Sequence, residues 1–249
     1  MIWAVLVGNT RTVSALMEGR KVIRRMVVPT DSLRNLRNAR VWATRIWKTS
    51  EAEGLMVASV VPAVDPLLRR GLMDAFNLTP EFVKIGKKLG IAVRVKKPGQ
   101  VGADRLANAV AAKELYGAPV IVVDYGTGTT FDVVNRQGAY CGGAILPGLG
   151  ISLQALHEFT AKIPRVKFEP VKNSIGRTTE EAVRSGVYHG AVGTTRELLA
   201  GIRKELGTRA PAIATGGWSE VFRKTGLFKR VDPNLTLTGL AILREKNRA

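Results

Sequence analysis

The sequence predicts a mixed α/β chain built from a doubled unit, with one lobe over residues 1–116 and a second over 117–249. Three observations predict it. A strand–turn–strand pattern occurs twice, as AVLVGNTRTVSALMEGR from Ala4 and as VIVVDYGTGTTFDVVNRQG from Val120. Around these hairpins, apolar strand-like runs alternate with segments of helical periodicity. The chain has 249 residues and 45% hydrophobic content, enough for two cores.

Taken in order, the apolar N-terminus MIWAVLVGNT has no basic stretch and no small-residue cleavage site, so it reads as a first strand rather than a leader. A second strand follows the Gly8 turn. GLMVASVVP reads as a buried strand ending at Pro62, residues 64–76 and 80–89 as helices, and IAVRV (91–95) as a strand. DRLANAVAAKELY has helical spacing, with Asp104 in its first turn and Gly117 at its end. VIVVD, TTFDVV and AYCGGAIL read as strands, and 148–160 and 178–204 as helices. PAIATGG is a strand entering a glycine turn. DPNLTLTGLAILREK is a closing helix, with Asp232 as its expected N-cap and Pro233 at its first position. Aligning Gly8 with Gly126 superposes the two hairpins and sets Leu6 opposite Asp124.

Composition narrows the function classes. No apolar run reaches the length of a membrane span. A single cysteine, Cys141, allows no intrachain disulfide and fits a reducing cytoplasm. His157 and His189 lack metal-ligand spacing. The net charge of +18 suits an anionic substrate, an acidic partner or nucleic acid. The basic residues are dispersed, however, and no arm, zinc site or recognition helix is visible, so nucleic acid is the least favoured of these.

Chemistry concentrates in the turns. In DYGTGTT (124–130), glycines let backbone N–H groups approach an anion, and Thr127 and Thr129 add hydroxyl donors. Asp124 cannot donate to a phosphate when ionised, so its natural task is to hold a cation. Gly8–Thr10 and Thr215–Gly217 repeat the theme, and three such turns suit a bound nucleotide. PGQVGADR opens directly onto a helix N-terminus, which favours an anion. Arg105 can fork onto a carboxylate, and Asp104 can take a proton from an attacking hydroxyl. On spacing alone, Asp104 reads better as a first-turn acid that stabilises the helix.

These motifs resemble those of the type III pantothenate kinase family. The residues are VGNT near the start, SVVP (59–62), GADR (102–105), DYGTGTTFDVV (124–134), GGAILPG (142–148), TAKIP (160–164), GRTTEEAVRSG (176–186), TGG (215–217) and VDPNLTLTGL (231–240), nearly the whole chain. The resemblance implies a duplicated ribonuclease-H-like fold of the actin, Hsp70 and sugar-kinase type, with a nucleotide cleft between two lobes. It implies transfer of the γ-phosphoryl group of ATP to pantothenate, opening coenzyme A biosynthesis. It further implies a cytoplasmic dimer that uses Mg2+ or another divalent cation and K+ or NH4+. By position, Asp104 resembles the catalytic base. Gly102, Ala103, Asp104 and Arg105 resemble the pantothenate turn, with Thr179 a second substrate contact. Asp124 resembles the potassium-binding aspartate. Gly8, Asn9, Thr10 and Arg11 fall in the first ATP loop, and Thr127, Gly216 and Gly217 belong with the ATP contacts.

Two positions depart from the family pattern. Its first loop reads Asp-Val-Gly-Asn-Thr, where this chain has Leu6. A tyrosine is common three residues before the loop proline, where this chain has Val95. Three readings stay open: a homodimeric kinase, one subunit of a heteromer whose acidic paralogous partner carries the first-loop Asp, and an inactive regulatory or nucleic-acid-binding paralogue. The basic excess also fits hot conditions.

Overall fold

The computed structural model describes residues 1–47, 52–76, 78–86 and 89–248. Along the chain run β1 (Ile2–Val7), β2 (Arg11–Glu18), β3 (Lys21–Pro29), α1 (Leu36–Trp47), β4 (Leu55–Ser59), α2 (Asp65–Phe76), β5 (Glu81–Phe82) and α3 (Ala103–Tyr116). They are followed by β6 (Val120–Tyr125), β7 (Gly128–Val134), β8 (Tyr140–Pro147), α4 (Leu149–Glu158), α5 (Thr179–Leu206), β9 (Ala212–Thr215), β10 (Arg230–Val231) and α6 (Leu235–Arg248). Two compact units result. The first comprises 1–117, 138–140 and 234–249, and the second 118–137 and 141–233.

The doubling seen in the sequence is a doubling of topology. The first sheet has the order β3-β2-β1-β4-β5, and the second has β8-β7-β6-β9-β10, the same order element for element. In each, a central strand pairs antiparallel with the strand after the glycine turn and parallel with the strand beyond a helical crossover. Leu6 lies across from Val13 on one side and Ala58 on the other. Its counterpart Asp124 lies across from Thr130 and Thr215. The sheets thus share a frame while these two positions differ in chemistry.

In the first unit, alternation along β1 sends Trp3, Val5 and Val7 into a core with Leu55 and Val57 of β4, Trp42 of α1, and Leu68 and Leu72 of α2. α3 packs on α6 so closely that a Cβ at Gly239 would collide with the Ala107 backbone. Thr236 Oγ1 donates to Asn108 Oδ1 at 2.7 Å within that buried contact. In the second unit, Ile121, Val123 and Tyr125 of β6 meet Leu149 and Leu153 of α4, Val183 and Leu199 of α5, and Phe222. The Tyr125 and Phe222 rings stack with centroids 3.9 Å apart. α5 runs for 28 residues because both its ends are well closed. Thr178 accepts from the Glu181 N–H, Glu181 accepts from the Arg177 N–H, and Gly207 at φ 60° ends the helix.

Three sequence expectations are corrected. Residues 80–89 do not form a helix: β5 pairs with β4 there, and Gly90 turns the chain at φ 70°, while residues 87 and 88 lie outside those described. Punctuation by Pro80, Gly86 and Gly90 outweighs the helical spacing. IAVRV forms an isolated bridge, Val93 to Tyr140, rather than a strand. Asp232 is not the cap of α6 and Pro233 is not its first residue, since both precede the helix start; the Asp232 N–H is bonded to Ala214 O at 2.8 Å. The helix begins at Leu235, and the Asn234 carbonyl accepts from the Thr238 N–H.

Candidate active site

In the first unit, the Gly8–Arg11 turn is held by its own backbone, with the Gly8 N–H on Arg11 O at 3.1 Å. Thr30 braces it from below. Its Oγ1 donates to Gly8 O at 2.7 Å, its N–H donates to Thr10 O, and Thr12 Oγ1 lies 3.0 Å away, buried. Asn9, Thr10 and Arg11 stand exposed above this platform. The turn is therefore built as a rigid, open loop of the type that cradles an anion. Leu6 at its base supplies no carboxylate.

The same unit carries Asp104. Gly102 is the N-cap of α3, and its carbonyl accepts from the Leu106 N–H at 3.1 Å. A Cβ on Gly102 would press on the Asp104 carboxylate and on Val60, so the SVVP turn and the GADR turn lie side by side. Asp104 Oδ1 accepts from the Arg105 N–H at 2.8 Å. Burial pushes the Asp104 carboxyl above the usual carboxylate range, opposed by the Arg105 amide and guanidinium. The Arg105 guanidinium lies over the Tyr140 ring, 5.9 Å from its centroid. A carboxylate of raised proton affinity at a helix N-terminus beside a cation can take a proton from a hydroxyl that the cation helps to hold.

Sequence reasoning passed over Asp65, on the far side of the SVVP turn. Ser59 is hydrogen-bonded to it, and burial raises its pKa against that bond and Arg69. Its first-turn position on α2 was legible, but its burial was not.

In the second unit, Asp124, Thr127, Gly216 and Gly217 come together. Gly216 has φ 91°, and a Cβ there would strike the Asp124 carboxylate and the Tyr125 backbone. The Gly216 carbonyl accepts from both the N–H and Oγ of Ser219. Gly148 N–H donates to Thr127 O at 3.1 Å, pinning the DYGTGTT turn against the start of α4. Thr215 Oγ1 is buried and has no hydrogen-bond partner among the described residues, in register beside Asp124. A carboxylate with an unsatisfied hydroxyl next to it fits a cation bound through oxygen. Among the described residues, no cluster of three or more His, Cys, Asp and Glu side chains forms a self-sufficient metal site. A divalent ion here would therefore have to take most of its ligands from a bound phosphate group and from water.

Thr179 opens α5 on the wall of an apolar cavity of about 1010 Å³ between α4 and α5, which Tyr125 and Thr129 of the DYGTGTT segment also line. Leu146, Leu156, Phe159 and Val187 are among its apolar lining, and Tyr125 and Thr195, which share a 2.8 Å buried hydrogen bond, line it too. Val95 is half-buried.

Comparison with known proteins agrees with this geometry. The family model for type III pantothenate kinase matches residues 3–201. The type III pantothenate kinase of Acidiphilium cryptum is 39% identical over 248 residues, covering 97% of this chain and 93% of that protein. That of Geobacter sulfurreducens is 36% identical over 254 residues, with 100% of both chains covered. Among solved structures, a conserved putative Baf family transcriptional activator from Campylobacter jejuni superposes with a TM-score of 0.65 at 14% identity, covering 99% of each chain. A putative 2-dehydro-3-deoxygalactonokinase from Sinorhizobium meliloti gives 0.59 at 10% identity, covering 98% and 96%. At such identities these structures speak for the fold alone, a duplicated ribonuclease-H-like fold of the sugar-kinase type. Family model, full-length relatives and fold agree, and the chain belongs to the type III pantothenate kinase family.

Proposed function

We propose that this chain transfers the γ-phosphoryl group of ATP to the hydroxyl of pantothenate, in the cytoplasm, with Asp104 as general base. The observation that carries the proposal is the Asp104 carboxylate, of raised pKa, on the first turn of α3 beside Arg105. The N-terminus of α3 and Arg105 hold the anionic substrate, with Gly102 and Ala103 giving close backbone approach. Asp104 takes the hydroxyl proton as the oxygen–phosphorus bond forms and the bond to the β,γ-bridging oxygen breaks, releasing ADP. The turns at Gly8–Arg11, Thr127 and Gly216–Gly217 orient the nucleotide phosphates. Asp124, with Thr215, is the natural holder of a monovalent cation such as K+. Mg2+ travelling with ATP would supply charge neutralisation on the phosphates.

The test is an assay of the purified chain with pantothenate, ATP, Mg2+ and K+, reading phosphopantothenate and ADP together. Asp104→Asn is expected to lower kcat by about 10²–10⁴-fold. Turnover that survives this change would remove Asp104 as the base.

Leu6 favours a second form of the same reading, in which the working unit is an assembly and an acidic paralogous chain contributes the first-loop carboxylate. Activity that appears only on co-expression with such a chain would establish it, and full activity of the chain alone would dismiss it. In either form we place a second subunit on the α4–α5 face. Phe159 is 85% exposed there and Ile151 42%, around the cavity that Thr179 lines. The segments of this second unit carry 15 Lys and Arg against 10 Asp and Glu, only +5 of the total +18, so two copies repel least through it.

A further inference from the structure

The remaining charge has a location. The first unit carries 23 Lys and Arg against 10 Asp and Glu, or +13. Part of it lies on β3, the outermost strand of the first sheet, which pairs on one side with β2 and among the described residues with no strand on the other. An outermost strand leaves alternate N–H and C=O groups open to another chain. β3 is nine residues long and exposed over much of its length, with Lys21, Arg24, Arg25 and Val27 all open to solvent.

Register shows what a neighbour would meet. Leu6, Val13 and Val27 form one cross-strand row on a single face of β1, β2 and β3. The row opens outward: Leu6 and Val13 are half-buried, and Val27 is 46% exposed. On the same face, two residues along, Arg25 stands across from Ala15, exposed. On the opposite face, Met26 and Val28 lean on the core and leave apolar surface at the edge. The strand thus presents a three-residue apolar block, 26–28, beside a two-residue basic block, 24–25.

We propose that β3 accepts an acidic extended segment of another polypeptide as an added strand. The segment it fits has two adjacent acidic residues to stand across from Arg24 and Arg25, and three adjacent apolar residues across from Met26, Val27 and Val28. Main-chain hydrogen bonds supply affinity and the side-chain pattern supplies selection. A second copy of β3 paired in register through residues 24–25 is disfavoured, because it would bring arginines against arginines, and shifted registers set arginines against valines. The charges that protect this strand from its own kind are the ones that admit an acidic strand. The proposal goes beyond the kinase reading and does not depend on it.

The test uses two capped peptides, Ser-Val-Val-Val-Glu-Glu and Ser-Val-Val-Val-Lys-Lys, titrated against the full chain. The acidic peptide is expected to bind and to slow amide exchange along residues 21–28, and its affinity is expected to fall as salt is raised. The basic peptide is expected not to bind. Arg25→Glu is expected to weaken the acidic peptide about tenfold or more and to admit the basic one. Val27→Ser, which adds no charge, should weaken the acidic peptide through the apolar row alone. Far-ultraviolet circular dichroism and the melting temperature report that the variants are folded, and pantothenate kinase activity, measured in parallel, stands or falls separately. Absence of binding, equal binding of both peptides, or exchange protection outside the first sheet would overturn the proposal.

Discussion

Asp104 shows how one residue's environment sets both a rate and a stability. Burial raises its pKa, so the fold favours the protonated form. Its penalty on stability is absent below the ordinary aspartate range, grows as pH rises toward the raised value, and is complete above it. A base must be ionised, so the acid limb of kcat/KM against pH is expected above the ordinary carboxylate range. Asp104→Asn removes the charge and its desolvation, so at pH 7 the melting temperature should hold or rise while turnover collapses. A variant that loses both would mark Asp104 as structural. Leu6 is the complementary case. Its neighbours Val13 and Ala58 offer a carboxylate no partner. Leu6→Asp should therefore lower the melting temperature. In the chain assayed alone it should also raise kcat/KM for ATP–Mg2+ about tenfold or more, if position 6 faces the phosphates as the family pattern implies. Unchanged kcat/KM would dismiss the partner-supplied carboxylate. Gly216 is fixed by geometry, at φ 91° and against the Asp124 carboxylate. Gly216→Ala should cost more than about 1 kcal/mol, read as the midpoint of urea unfolding.

Elements show which sequence signals survive folding. The hairpins were legible because period-two alternation and a glycine turn act locally: β1–β2 and β6–β7 form where AVLVGNT and VIVVDYG place them. α3 and α5 were legible for the same reason, through caps and periodicity. The segment 80–95 was not, because its short β5 and its bridge at Val93 form only by pairing with distant β4 and Tyr140. α6 was legible as a helix, but it starts at Leu235, beyond Asp232, whose N–H bonds to Ala214 of β9. Its packing was also hidden. Gly239 reads as an unfavourable helix residue, yet it lets α6 reach the Ala107 backbone of α3. Gly239→Ala should destabilise by about 1–3 kcal/mol despite a better helix propensity, measured by denaturant unfolding. Stabilisation instead would mean the helices part without cost. Asp104 sits on α3, so activity of this variant should fall with the packing.

On the scale of the whole molecule, duplication explains both what was legible and what was not. Two sheets of one topology put Leu6 and Asp124 at equivalent places, so the chain carries its own reference for what the first turn lacks. The sequence showed the net charge but not that the first unit holds most of it, because that division follows the folded units. Nor could spacing reveal that Thr179 lines an apolar cavity between α4 and α5. That cavity and the exposed Phe159 bear on assembly. If a second subunit covers them, Phe159→Asp places a charge in a buried apolar contact and should convert the assembly to single chains at micromolar concentration, by sedimentation. The separated chain should keep its far-ultraviolet circular dichroism, since Phe159 lies at the end of α4 outside the buried core. If Thr179 acts on pantothenate through the assembled face, KM for pantothenate should rise on separation while KM for ATP changes little. A sedimentation coefficient unmoved by Phe159→Asp would exclude this face as the contact, and a KM for pantothenate unmoved in separated chains would return Thr179 to a structural role.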